Sequence, residues 1–147
     1  MRLLGVDFGR KRIGLALSDA EGRLARPWQV VAAGATPAAS ATVVAGAITE
    51  FARSTLGSEH VDAIVVGLPR RLNGEDNEQT APTKLFAERL GAVSGLPIFL
   101  QDERLTSHEA DMRLREREPD WRARKKKLDA AAAAIILQDY LDAQMTR

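Results

Sequence analysis

The chain has 147 residues, 45% of them hydrophobic and 28% charged, and a formal net charge of +1. That length suits one domain with a proper core, and the composition is that of an ordinary globular protein. The absence of cysteine excludes disulfides and thiolate metal sites, and the near-neutral charge means that any affinity for nucleic acid must come from local clusters.

No apolar run is long enough to span a membrane and no signal peptide is read at the start, so a cytoplasmic protein is expected. Residues 2–7 and 12–18 read as strands joined by a tight turn containing Gly9, an antiparallel hairpin. Residues 25–33 read as a third strand, which Pro27 obliges to start late or lie on an edge. Thr36 followed by Pro37 is an N-cap with proline at the first helical position, and the Ala-rich run to about residue 56 is the helix, stopped by Gly57. Residues 61–67 form a buried strand, because apolar side chains take both parities of its second half.

A polar loop follows over residues 68–78, then a helix over about 79–93 with Leu85, Phe86, Leu90 and Val93 inward. Residues 97–101 make a short strand that ends in Asp102 and Glu103. The capping box Thr106-Ser107-His108-Glu109 opens a helix that ends near Pro119, and the last helix runs over about 127–143. The whole is an α/β pattern, an antiparallel meander followed by parallel strands, giving a mixed five-stranded sheet flanked by helices in a single domain of residues 1–147. Ligands of such sheets bind beyond the carboxyl ends of the strands. Asp7, the Gly67-Leu68-Pro69 loop and the Asp102-Glu103 pair all fall there.

An acid at the end of a hydrophobic strand is costly to bury unless it is paired, hydrogen-bonded or bound to a cation. Asp7 is such an acid, although turn capping would also explain it. Asp102 and Glu103 point to opposite faces, so one of them can face Asp7, and spacing leaves the choice open. Asp129 shares a helical face with Ala132, Ala133, Ile136 and Tyr140, which aims it at the sheet. Dipole stabilisation would account for an acid in a first helical turn, but not for its inward face. Three inward carboxylates suit hard cations such as Mg²⁺ or Mn²⁺, one or two ions, and two ions together can hydrolyse a phosphodiester. Zinc does not fit a chain whose only histidines are His60 and His108, the second in a capped first turn on the surface.

Basic residues gather near these acids. Residues 113–127 carry eight Arg or Lys against three acids, with Arg124, Lys125, Lys126 and Lys127 leading into Asp129 and Trp121 available to stack on a base. Arg10, Lys11 and Arg12 follow Asp7, Arg104 follows Glu103, and Arg70 and Arg71 lie in the loop after the buried strand. Such clusters are often plain solvated surface, but their placement beside the acids favours nucleic acid as the partner.

Four segments carry a resemblance over nearly the whole chain: Gly5-Val6-Asp7-Phe8-Gly9-Arg10-Lys11-Arg12-Ile13-Gly14; Val65-Val66-Gly67-Leu68-Pro69 with Asn73-Gly74; Asp102-Glu103-Arg104-Leu105-Thr106; and Lys125-Lys126-Lys127-Leu128-Asp129-Ala130-Ala131-Ala132. In this order they resemble the YqgF/RuvX family of ribonuclease H-like nucleases. The resemblance implies a ribonuclease H-like fold and makes Asp7, Glu103 and Asp129 the acidic metal ligands, with Glu103 rather than Asp102. It further implies maturation of the 5′ end of 16S ribosomal RNA, and a likeness to Holliday junction resolvases of the RuvC type. Two positions depart from the family pattern: Arg10 stands where a small hydroxyl residue is usual and Arg70 where an apolar one is.

The expected function is therefore a metal-dependent endonuclease acting on structured RNA, with a DNA junction resolvase as the alternative and a monomer or a homodimer as the working form. A resolvase calls for two active sites in a symmetric dimer. A noncatalytic RNA-binding assembly factor and an ATP-binding protein are further readings. The second rests on Asp7-Phe8-Gly9 resembling the phosphate loop of actin-like ATPases, which need two such domains.

Overall fold

A computed structural model describes residues 1–103 and 121–145, over 121–128 through the backbone alone. Its elements are β1 (Leu3–Phe8), β2 (Arg12–Ser18), β3 (Ala25–Ala32), α1 (Pro37–Ser54), β4 (Ala63–Leu68), α2 (Thr80–Ser94), β5 (Ile98–Asp102) and α3 (Trp121–Met145). The five strands form one sheet in the order β3-β2-β1-β4-β5. β1, β2 and β3 pair antiparallel, while β4 runs parallel to β1 and to β5. The expected meander followed by parallel strands is therefore the observed sheet. β3 does lie on an edge, and its ladder slips between Leu15 and Ala16 of β2, which pair with Gln29 and Pro27. An edge bulge of this kind is where a strand tolerates proline, since the missing N–H breaks no inner ladder.

Alternation sorts the strands' side chains onto two unequal faces. Leu4, Val6, Phe8, Ile13, Leu15, Ile64 and Val66 pack with Val44 of α1 and Phe86 and Leu90 of α2. Leu3, Ala16, Ala63 and Val65 pack with Ala133, Ile136, Leu137 and Leu141 of α3. Small residues on this second face bring α3 close. A Cβ on Gly5 would lie 2.7 Å from the Leu137 Cβ, and a Cβ on Gly14 would collide with the Asp129 carbonyl oxygen.

Several expectations shift. In α2 the buried positions are Thr80, Thr83, Phe86, Ala87 and Leu90, whereas Leu85 and Val93 are 49% and 53% exposed. Thr83 takes the inward place because its hydroxyl donates to the Gln79 carbonyl oxygen at 2.8 Å, which satisfies its polarity inside the helix. The Thr36 cap and Pro37 are as expected, with the Ala39 N–H donating to the Thr36 hydroxyl at 3.1 Å. The last helix is already formed at Trp121, ahead of the expected start near residue 127, since Arg and Lys are strong helix formers and carry it ahead of its apolar stripe. The helix expected over 106–119, His108 and Arg104 lie outside the described residues, as do the side chains of Trp121, Arg124, Lys125, Lys126 and Lys127.

Candidate metal centre at the carboxyl edge of the sheet

The pairing register places the acids. Asp7 sits opposite Gly14 of β2, and the alignment of Val6 with Val66 puts Asp7 next to Gly67 of β4. By alternation Asp7 shares its face with Leu3 and Gly5, the face covered by α3. On the opposite face Phe8 stacks on Phe86 with ring centroids 4.3 Å apart, which pins the strand end that presents Asp7. That aromatic anchor is a functional feature that the sequence reading missed, although adjacent Asp7-Phe8 at a strand end signals it.

Parity also decides between Asp102 and Glu103. Phe99 of β5 stacks on Tyr140 of α3 at 5.4 Å, so residues 99, 101 and 103 face α3 while Asp102 faces away. The Glu103 N–H donates to the Leu68 carbonyl oxygen at 3.3 Å, continuing the β4–β5 ladder by one residue past the strand. Its carboxyl then turns over Gly67, where an added Cβ would lie 2.7 Å from Glu103 Oε2 and 2.5 Å from Ile136 Cδ1. Gly67 is thus a cradle that only the absence of a side chain keeps open.

The two carboxyls meet. Asp7 and Glu103 lie close enough to act on each other, and burial lifts both above their ordinary pKa. Asp7 rises to about 6, through burial first and repulsion from Asp129 second, with the Glu103 side chain opposing. Glu103 rises to about 9, through burial first, then repulsion from Asp7 and repulsion from Asp102. Glu103 Oε2 is buried with no hydrogen-bond partner. A buried carboxylate oxygen without a donor is unstable alone and calls for a proton or a cation.

Asp129 stands close enough for its charge to act on Asp7, but its carboxylate is directed elsewhere. Arg12 Nε donates to Asp129 Oδ2 at 2.7 Å. Asp129 also lies more than two turns into α3, which removes the first-turn dipole account of it. Among the described residues no group of three acidic, histidine or cysteine side chains is assembled closely enough to hold an ion together. The geometry is a tight acid pair with a third acid held to one side.

The RuvX family profile, described as Holliday junction resolvase, matches residues 1–143. The chain belongs to the RuvX family. A relative from Anaeromyxobacter sp. (strain Fw109-5), provisionally named a pre-16S rRNA nuclease, is 42% identical over 142 residues, 97% of each chain. One of the same provisional name from Chloroflexus aggregans is 39% identical over 142 residues, covering 97% of this chain and 94% of the relative. Among solved structures, RuvC of Thermus thermophilus superposes with a TM-score of 0.54 at 17% identity, covering 99% of this chain and 97% of that one. At that identity the likeness concerns the fold, and it agrees with the ribonuclease H-like sheet.

In this RuvX chain the remaining candidates divide. Arg10 and Arg71 line a shallow cavity of about 420 Å³ with Asn77, Glu78 and Gln79, between the β1–β2 turn and the loop after β4. Arg10 donates to Gln79 Oε1 at 3.2 Å and lies 3.8 Å from Glu78, both exposed contacts of little energetic weight. Lys11 is exposed at the same turn. Arg70 and Asn73 serve their own loop. Arg70 Nε faces Asp76 at 3.6 Å, and Asn73 Oδ1 accepts from the Glu75 N–H at 2.9 Å to shape the turn that Gly74 completes with φ +88°. No helix among the described residues is long and apolar enough to cross a membrane.

Proposed function

We propose that this chain is a divalent-metal-dependent endonuclease, one domain over residues 1–147, that hydrolyses phosphodiester bonds in structured RNA and trims the 5′ end of precursor 16S rRNA in the cytoplasm. The observation that carries the reading is the Asp7–Glu103 pair: two half-buried acids that act on each other, with the buried Glu103 Oε2 left without a donor. Oxygen donors of this kind fit Mg²⁺ or Mn²⁺, with Asp7 and Glu103 as the first ligands and Asp129 as the third. When bound, such a cation supplies Lewis-acid polarisation of the phosphate and lowers the pKa of the attacking water.

The chain's own residues do the rest. Gly67 and Gly14 let the acids and α3 come together, and the Phe8–Phe86 stack fixes the Asp7 strand end. Arg10, Lys11 and Arg71 offer positive charge at the same end of the sheet as Asp7, and the sequence run Arg124, Lys125, Lys126 and Lys127 with Trp121, just ahead of Asp129, adds basic and stacking residue types. The relatives' names support RNA as the substrate. The family description favours a second reading, cleavage of four-way DNA junctions by a symmetric dimer.

Purified wild type and Asp7→Asn, each tested on precursor-rRNA ends and four-way junctions with Mg²⁺ and with Mn²⁺, separate the readings. Wild type is expected to cut the RNA, and Asp7→Asn to lose about a hundredfold or more in rate while still binding. Cleavage unchanged in Asp7→Asn would sink the assignment. Paired cuts in junctions by a dimer, with no RNA cleavage, would transfer it to the second reading.

A further inference from the structure

Asp129 stands between an anionic neighbour, Asp7, and a cationic one, Arg12, and the cation holds it. Its Oδ2 accepts from Arg12 Nε at 2.7 Å, with the side chains 36% and 25% exposed for Arg12 and Asp129. The backbone at Asp129 packs directly on Gly14, where an added Cβ would collide with its carbonyl oxygen. Its carboxylate turns about its own side-chain bonds, with Arg12 on one side and Asp7 on the other. Arg10, two positions away on the same turn, offers no second hold, since it reaches Gln79 and Glu78 instead.

We infer that Arg12 is a positioning residue that holds Asp129 in reserve, and that a nucleic-acid phosphate, by taking the Arg12 guanidinium, frees Asp129 for a cation held by Asp7 and Glu103. The inference rests on the metal-dependent reading above. A guanidinium presents the same planar donor fork to a phosphate as to a carboxylate, so one anion replaces the other without loss of hydrogen bonds. While the pair is closed, the cation meets two acids. Once a phosphate opens it, the cation meets three. Metal and nucleic acid then bind with positive coupling, and the coupling is reciprocal.

Mn²⁺ alone, titrated by calorimetry into folded full-length variants without nucleic acid, tests this. Arg12→Gln is expected to bind Mn²⁺ about fivefold or more tighter than wild type, within the usual range of such couplings. Lys11→Gln removes the same charge from the adjacent position and is expected to change the affinity less. Combining Arg12→Gln with Asp129→Asn is expected to abolish the gain, the signature of a direct interaction in a double-mutant cycle. With a short oligothymidylate bound, wild type is expected to reach the affinity of Arg12→Gln.

An unchanged affinity in Arg12→Gln overturns the inference alone. So does a gain matched by Lys11→Gln, a gain that survives Asp129→Asn, or a wild type that stays weak with the oligonucleotide. If neither wild type nor Arg12→Gln binds Mn²⁺, the metal-dependent reading falls with it. Should Arg12→Gln fail to fold, Arg12→Lys keeps the charge without the fork and is expected to show a smaller gain in the same direction, whereas no gain overturns the inference.

Discussion

Burial acts first on both Asp7 and Glu103, with repulsion from Asp129 added on Asp7 and repulsion from Asp7 added on Glu103, so the folded pair keeps a proton where free carboxylates have lost theirs. The consequence for stability has a definite sign. Glu103 is raised to about 9 from an ordinary 4.5, and Asp7 to about 6 from 3.8, so above pH 6 the native metal-free protein binds more protons than the unfolded chain. Stability from the pair is complete below the unfolded values and drains away as pH rises through the folded ones. Thermal melts of metal-free protein between pH 6 and pH 9 are therefore expected to show a falling midpoint, at most about 1.4 kcal/mol lost per pH unit per proton. Glu103→Gln should flatten that slope, since an amide needs no proton. A midpoint that rises over this range in wild type would contradict the buried pair.

At the scale of elements, the packing of α3 on the glycine-bearing face decides whether the acids meet. Gly14→Ala would drive a methyl group into the Asp129 carbonyl oxygen, a backbone atom that cannot rotate aside. Overpacking of this kind costs about 1–3 kcal/mol or more, read as a lowered denaturant midpoint at unchanged m. Gly46→Ala in α1 is the contrast, because its Cβ meets nothing within 4 Å and helix interiors favour alanine by about 0.5–1 kcal/mol. The strand pattern by itself carries no sign of this close approach at Gly5, Gly14 and Gly67. Their spacing shows its purpose only when β1, β2 and β4 are laid side by side under an Ala-rich helix.

Over the whole molecule the net charge of +1 predicts little attraction for nucleic acid, and the binding must be local. Arg10, Lys11 and Arg71 stand just beyond the carboxyl ends of β1 and β4, the end of β1 at which Asp7 lies. If each contacts one phosphate, replacing all three by glutamine is expected to lower the slope of log affinity against log salt by about 2–3. Fluorescence anisotropy of labelled RNA at several salt concentrations measures it, and an unchanged slope would remove this edge from the interface. Arg70, whose Nε faces Asp76 at 3.6 Å, and Asn73, which accepts within its own turn, are expected to contribute less to that slope.

The order of the elements, the edge position of the strand carrying Pro27, the capped start of α1 and the candidate acids Asp7 and Asp129 were legible from the chain alone. Each is written in local chemistry: alternation, helical period, capping and proline's missing N–H. The match to the RuvX family also needed no coordinates, because four motifs in order carry it. The choice of Glu103 over Asp102 at the acid pair could not be read from residues alone, since one position along β5 reverses the face and only the register against β4 and α3 fixes it. The pairing of Arg12 with Asp129 was equally hidden, across 117 positions of sequence. Local rules fix where an acid sits on its own element. Which acid meets which, and whether a cation of the chain reaches one of them first, depends on distances between elements, and these exist only once the sheet is paired and α3 is seated on it.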